Sequence, residues 1–249
     1  MGLLRFEPSG WEKIEQAIRL PMKKSFSAMK GNWPWILMVL ANLIFWIALQ
    51  QRNTTIVYYL TYNLDRKDLV PLINSLATIQ ILFIIAIPFF SRYLSKTWIW
   101  ITGLLVAMFG GGLMWLAGDN IPLMIAAWML ANIGSGIACS MPFAMLGFAV
   151  DFGRWKTGIK ATGILIAFGS TFCIKMGSGI GTAFAAWIMN SFGYIPNQPQ
   201  TAAGLDGISW AFIWVPAVLF ALAAIPLLFF RKYEAMEECI QHDLQVHNP

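Results

Sequence analysis

The stretch TGILIAFGSTFCIKMGSGIGTAFAAWIMN, residues 162–190, is apolar over a length that suits a membrane-crossing helix, although it contains a lysine, Lys175. A bilayer core about 30 Å thick requires about 20 apolar residues in helical form. Five further stretches meet this requirement, at roughly 33–60, 71–90, 97–117, 121–147 and 208–230. We therefore predict an all-α polytopic membrane protein with six transmembrane helices.

The composition of the whole chain supports this class. Of its 249 residues, 58% are hydrophobic and only 12% are charged, and the mean hydropathy is +0.63. A soluble domain carries about 25% charged residues, most of them on its surface. The composition therefore excludes a single soluble domain.

Three segments of different character follow one another along the chain. Residues 1–31 are predicted to be a cytoplasmic amphipathic segment, 32–232 the six-helix bundle, and 233–249 a cytoplasmic tail. A capping box formed by Ser9 and Glu12 begins an amphipathic pattern in the first segment. We interpret this pattern as a helix lying on the membrane surface, with a solvated linker as the open alternative.

Basic residues cluster on one side of the predicted spans. Of the 17 lysines and arginines, 13 fall in the first segment, in connections on the same side, or at the start of the tail. These 13 are Arg5, Lys13, Arg19, Lys23, Lys24, Lys30, Arg92, Lys96, Arg154, Lys156, Lys160, Arg231 and Lys232. Because short basic loops remain in the cytoplasm, we predict a multi-pass protein of the cell membrane with both termini cytoplasmic.

Lys175 is the most informative single residue. It lies about 13 residues into its span, roughly 20 Å from the cytoplasmic end at 1.5 Å per residue. A charge at such depth costs about 2.5–3.5 kcal/mol, so it usually faces a cavity or a partner. Thr171, Ser178 and Thr182 share its helical face, and all 12 acidic residues lie in tails, loops or helix ends. We expect Lys175 to face water, a substrate anion or a segment that this chain lacks; snorkelling to the outer surface is the alternative.

A second polar stripe runs along the first predicted span. Asn42, Trp46, Gln50 and Asn53 recur at helical spacing, and Arg52 is expected inside the outer leaflet. Amides bind hydroxyl groups and an indole stacks on a sugar ring, so the stripe is a candidate wall for a polyol. Amides also join membrane helices to one another, and the sequence leaves both interpretations open.

The connection after the fourth span carries a compact group of charges. Within VDFGRWKTGIKATG, residues 150–163, Asp151 is followed by Arg154, Lys156 and Lys160. Opposite charges at a helix end can hold one conformation closed and release it in another. We predict a cytoplasmic gating loop, against the alternative of an ordinary basic loop.

No set of residues suggests catalysis or a bound metal. His242 and His247 are isolated in the tail, and Cys139, Cys173 and Cys239 lack the spacing of a metal site. We therefore expect no enzymatic activity, no cofactor, no metal site and no nucleic-acid partner.

Several of these stretches together resemble one family. They are NWPWILMVLANLIFW at 32–46, YYLTYNL at 58–64, DFGRWKTGIK at 151–160, IKMGSGIG at 174–181 and GYIPNQPQT at 193–201. They resemble, in order, the C-terminal half of the glycoside-pentoside-hexuronide:cation symporters. That family includes melibiose permease and the glucuronide transporters, within the major facilitator superfamily.

The resemblance implies a fold and a site. Family members have twelve spans and couple sugar uptake to Na⁺, H⁺ or Li⁺ by alternating access, and this chain matches spans seven to twelve. The residues matching Lys175 and Thr171 would lie beside the sugar and cation sites, with the acidic cation ligands in the N-terminal half. Cys139 stands where melibiose permease has a tryptophan. The candidate lining of the substrate and cation site is Lys175, Thr171, Cys139, Asn42, Trp46 and Gln50.

One part of the sequence departs from the family pattern. Three acidic positions of the family's cytoplasmic loop are here Phe148, Arg154 and Thr162, which weakens the ionic latch, although Asp151 and Lys160 remain.

Three functions stay open on the sequence alone. The first is the C-terminal half of a sugar:cation symporter, incomplete by itself, whether a split-gene product or a gene remnant. The second is a six-span carrier that works as a homodimer, and the third is a non-transporting membrane interaction protein. The expected partners are membrane lipid, a sugar or glycoside, and an N-terminal half or a second copy.

Overall fold

The structure, a computed structural model, describes residues 29–90, 94–159 and 161–246. Within these ranges every regular element is a helix. The helices are α1 (Trp33–Tyr58), α2 (Val70–Leu76), α3 (Ile79–Phe90), α4 (Lys96–Ala117), α5 (Ile121–Thr157), α6 (Thr162–Ala167), α7 (Cys173–Ser191), α8 (Ala202–Ser209), α9 (Val215–Glu234) and α10 (Glu237–Val246). The predicted all-α class is confirmed.

Three turns of π-helix, in which the backbone takes one extra residue per turn, continue or join these helices. They are Tyr59–Asn63 after α1, Phe168–Phe172 between α6 and α7, and Trp210–Trp214 between α8 and α9. A short 3₁₀ turn, Lys67–Leu69, precedes α2. The π-turns therefore allow two pairs of helices to run on as single spans.

Six stretches of the described chain are long and apolar enough to cross a membrane, as predicted. Numbered as spans 1 to 6, they are Trp33–Asn63, Lys67–Ile87, Lys96–Ala117, Ile121–Thr157, Thr162–Ser191 and Ala202–Glu234.

Side chains at the span starts explain where several helices begin. The Asn32 side chain accepts a hydrogen bond from the backbone N–H of Trp35 at 3.1 Å, and Pro34 follows in the first turn. Asn120 caps span 4 in the same way. Thr201 caps α8 through its hydroxyl oxygen. These polar caps satisfy N–H groups that a helix start leaves without partners.

Span 4 is longer than the sequence suggested. Its helix continues to Thr157 and ends at Gly158, whose φ of +69° is the left-handed conformation that favours glycine. Arg154 and Lys156 therefore lie on the last turns of a helix, so their predicted place in a loop is wrong, whereas Asp151 lies near a helix end as predicted. The reason is that Phe148 and other apolar residues beyond position 147 remain buried against neighbouring helices.

Close contact between spans 3 and 4 forms part of the core. A Cβ added to Gly110 would lie 2.6 Å from the backbone nitrogen of Ala131. One added to Gly103 would lie 2.8 Å from the nitrogen of Ala138. Only glycine permits this approach of two backbones, the usual device by which membrane helices gain packing contacts.

Span 1 occupies the centre of the bundle and packs against spans 4, 5 and 6. Spans 2 and 5 are peripheral. In their most apolar stretches only 11% and 28% of the residues are buried, compared with 61% in span 4. Spans 2 and 5 therefore present faces that no other part of the described chain covers.

The two described chain ends lie together at one end of the bundle, here called the terminal end. Lys96 forms a 2.7 Å ion pair with Glu237 of α10, and the Lys156 ammonium donates to the carbonyl of Gly31 at 2.8 Å. Ile240 of α10 is buried. The predicted tail thus contains a helix that packs on the bundle. The predicted surface helix near Ser9 lies outside the described residues.

The opposite end, here called the tyrosine end, is closed by aromatic contacts. The rings of Tyr58 and Tyr62 each meet Tyr194 edge to face at 5.6 Å. Burial and the hydrogen bond with Tyr62 raise the pKa of the Tyr194 phenol. Asn63 also donates to the carbonyl of Leu205 at 3.0 Å. These contacts join the ends of spans 1, 5 and 6.

Candidate functional site

The π-turn Phe168–Phe172 lies at the centre of the candidate site, because it contains Thr171 and precedes Lys175. The side chain of Asn42 in span 1 donates to the carbonyl of Gly169 at 2.8 Å. The Cys173 thiol donates to the carbonyl of Phe168 at 3.2 Å. Side chains thus satisfy backbone groups in the irregular turn, as buried backbone requires inside a membrane.

Beyond the π-turn, spans 1 and 5 touch through small residues. A Cβ added to Gly177 would lie 2.6 Å from the Cβ of Trp46, and one added to Gly181 would lie 2.5 Å from the carbonyl oxygen of Ile47. Together with buried Ala185, these glycines form a stripe of small residues on span 5. The stripe therefore serves as a contact between helices.

Lys175 and Thr171 lie on the exposed side of span 5. No described residue forms a hydrogen bond or an ion pair with the Lys175 ammonium group. Thr182, further along the same face, is also exposed and donates only within its own helix, to the carbonyl of Ser178. The structure therefore leaves a cationic and hydroxylated face on a membrane-spanning helix without a partner among the described residues.

The polar stripe of span 1 divides into two parts. Asn42 is 1% exposed and joins span 1 to span 5, so for this residue the structure supports the interpretation as a helix contact. Trp46 is partly buried beside Gly177, whereas Gln50 is partly exposed and donates to Thr54 of its own helix at 3.4 Å. Trp46 and Gln50 remain available to line a site.

Cys139 and the group predicted to form the gating loop lie elsewhere. Cys139 is partly buried against the core of span 4. Asp151 and Arg154 line a polar cavity of about 340 Å³ at the terminal end, together with Gln241, Leu244 and Gln245 of α10. Lys160 lies outside the described residues. Asp151 and Arg154 therefore face the C-terminal helix, whereas Lys156 contacts Gly31.

Arg52 is the residue whose importance the sequence did not reveal. It is 1% exposed and donates to Ser135 Oγ at 2.9 Å, to the Ala131 carbonyl at 3.3 Å and to Asn132 Oδ1 at 3.5 Å. Its guanidinium carbon lies 5.3 Å from the ring centroid of Trp128. The Nε atom has no hydrogen-bond partner in the described chain.

No described carboxylate contacts this buried charge, which dipoles and two aromatic rings, Trp128 and Phe220, surround instead. The sequence placed Arg52 inside a span, and Asn132 and Ser135 supply polar groups in span 4, but neither signal indicates that the two spans meet there. Arg52 therefore fixes span 1 to span 4.

Comparison with known proteins gives the family. A family model described as "MFS/sugar transport protein" matches residues 9–233. The isoprimeverose transporter of Lactiplantibacillus pentosus is 32% identical over 236 residues, which cover 94% of this chain and 49% of that protein. The putative sulfoquinovose importer of Escherichia coli is 29% identical over 209 residues, covering 83% and 44% respectively. The glucuronide carrier protein homolog of the same organism is 25% identical over 225 residues, covering 88% and 49%.

The chain spans about half the length of the curated relatives that it matches. Those relatives are transporters and not enzymes, and six apolar helices agree with a multi-pass membrane protein. Its fold and its relatives therefore agree that this chain belongs to the MFS/sugar transport protein family, among the glycoside-pentoside-hexuronide transporters.

Proposed function

We propose that this chain forms one six-helix half of a symporter that carries a sugar or glycoside together with Na⁺ or H⁺ by alternating access. Family membership supports transport, and the match to about half of each relative supports a half-transporter unit. In this account the six helices correspond to the C-terminal bundle of the complete transporter.

The observation that carries the proposal is the exposed ammonium group of Lys175 inside a membrane span. Such a charge is costly in lipid and is tolerated where it meets a water-filled cavity or a partner. Thr171 on the same face adds a hydroxyl group that can bind a polyol. We assign Lys175, Thr171, Trp46 and Gln50 to the wall of the substrate and cation pathway.

The partner that completes the pathway is a second six-helix unit, whether in the same polypeptide or in a separate one. The exposed face of span 5 supports this, because the Lys175 ammonium group and the hydroxyl of Thr171 are costly to leave in lipid. The second unit would also supply the carboxylates for the coupling cation, since the acids of this chain lie near span ends or outside the spans. A second copy of this chain is the competing partner.

The terminal end of the bundle faces the cytoplasm in this proposal, because most basic residues lie on that side of the spans. Asp151, Arg154 and Lys156 then act at the cytoplasmic mouth, where contact with α10 would be made and broken as the transporter alternates. The compartment is the cell membrane.

Reconstitution of the chain in vesicles tests this function. The purified chain is supplied with an imposed Na⁺ or H⁺ gradient and labelled isoprimeverose, sulfoquinovose or a glucuronide. The chain is then combined with the first six-span half of the isoprimeverose transporter of Lactiplantibacillus pentosus. We expect accumulation only with the second half present. Accumulation by this chain alone would contradict the need for that half, and a well-folded combination that accumulates none of the sugars would contradict transport.

A further inference from the structure

Six buried residues of span 5 recur at intervals of four across the π-turn. They are Leu165, Gly169, Cys173, Gly177, Gly181 and Ala185. In a regular α-helix each step of four residues turns about 40° beyond a full circle. Leu165 and Ala185, five such steps apart, would then point in directions about 200° apart around the helix axis. A single extra residue in a turn takes back about 100° of that drift. The π-turn therefore helps the whole stripe to face span 1.

Contacts on both sides of the π-turn agree with this geometry. Before it, the Trp35 indole N–H donates to the carbonyl of Leu165 at 3.0 Å. After it, Gly177 and Gly181 pack on the backbone of span 1 at Ile47. Without the extra residue, one of these two contact regions would rotate away from span 1. Lys175 lies three residues after the end of the π-turn. The extra residue therefore also sets the direction in which the Lys175 side chain leaves the helix.

Asn42 is the side chain from span 1 that holds this turn. Its amide donates to Gly169 inside the turn at 2.8 Å, and it is almost wholly buried. We infer that Asn42 is a positioning residue, which fixes the π-turn and thereby the direction of Lys175 and Thr171, rather than a residue that touches the substrate. The importance of this direction for transport rests on the proposed function. The effect of Asn42 on the direction of Lys175 does not depend on that function.

The chain contains a matched control for this inference. Gln51, also buried on span 1, donates its amide to the carbonyl of Ala211 at 2.9 Å, within the π-turn Trp210–Trp214. The chemistry is the same, but that turn lies in span 6, which carries none of the assigned site residues. Loss of either amide should weaken the bundle, whereas only loss of Asn42 should redirect Lys175.

Labelling of the native lysines tests the difference without requiring transport. The purified chain in detergent is treated with an amine-reactive acetylating reagent, and mass spectrometry gives the rate at each lysine. We expect Asn42→Leu to change the labelling rate of Lys175 relative to that of exposed Lys67 by severalfold. Gln51→Met should leave the ratio of the Lys175 and Lys67 labelling rates as it is in the unsubstituted protein, while lowering the melting temperature.

Equal changes in the two variants, or an unchanged ratio in folded Asn42→Leu, would overturn the inference. If Asn42→Leu does not fold, Asn42→Ser removes the same amide donor to Gly169 and keeps a small polar side chain at the buried position. An unchanged ratio in that variant would likewise refute the inference. Since no substrate is present, failure here is separate from failure of the proposed transport.

Discussion

Arg52 allows the energetics of a buried charge to be worked out from its contacts. Three hydrogen bonds at about 0.6 kcal/mol each, a typical value within membranes, join it to span 4. Two cation–π contacts, to Trp128 and Phe220, add about 2 kcal/mol each, the value for a desolvated cation. The gain is roughly 6 kcal/mol, which exceeds the insertion cost of about 2.5–3.5 kcal/mol for an arginine. We therefore predict that Arg52→Met lowers the free energy of unfolding by about 2.5–3.5 kcal/mol.

Removing only the acceptor has a different effect. Ser135→Ala deletes the nearest acceptor of Arg52 but leaves the charge buried, which should cost about 1–3 kcal/mol. In the Arg52→Met background the same change should cost almost nothing, since no guanidinium remains. Ser140→Ala is the matched control, because its hydroxyl bonds only within span 4, to the Ile137 carbonyl.

Unfolding of the purified chain in mixed detergent micelles, followed by circular dichroism, measures these energies. A double-mutant cycle compares the unsubstituted chain, Arg52→Met, Ser135→Ala and the variant with both changes. A second cycle replaces Ser135→Ala with Ser140→Ala. A coupling energy of about 1–3 kcal/mol is expected for the first cycle and near zero for the second. An equal cost of Ser135→Ala in both backgrounds would refute the reasoning, as would an unchanged free energy of unfolding in Arg52→Met.

Two further predictions concern packing and the terminal end. Gly110→Ala should destabilise the bundle by about 1–3 kcal/mol, because its Cβ would meet the backbone of Ala131, whereas Gly112→Ala, with open space around it, should be nearly neutral in thermal melting. Equal melting temperatures for these variants would show that the close contact does not limit packing. Lys96→Met removes the ion pair with Glu237 and should cost less than about 1 kcal/mol. This loss should shrink as salt rises in a melting series, and a loss independent of salt would contradict an electrostatic origin.

The sequence was sufficient for the class and number of spans, because apolar stretches of this length have few other structures open to them. It placed the end of span 4 too early. The charged residues near Asp151 resemble a loop when hydropathy alone is considered, although Phe148 and Phe152 keep that helix end buried. The left-handed Gly158 was the better marker of the end.

The details of the site depend on how helices cross, which local patterns do not specify. Asn42 and Gln50 belong to one stripe, yet Asn42 bonds to span 5 and Gln50 stays within its own helix. The buried position of Arg52 depends on acceptors 79 to 83 residues away in the chain. The interval of four from Leu165 to Ala185 was visible in the sequence. A regular α-helix would turn these residues steadily away from span 1, so the interval itself indicates an extra residue such as a π-turn supplies.

Uptake with Lys175→Met tests the central claim most directly. The chain and its second six-span half are reconstituted together, and sugar accumulation under a cation gradient is compared with Lys67→Met, a matched change at an exposed lysine of the tyrosine end. We predict that Lys175→Met abolishes coupled uptake while melting and membrane insertion stay unchanged, and that Lys67→Met leaves uptake intact. Undiminished uptake by Lys175→Met would contradict the assignment of this lysine to the transport pathway.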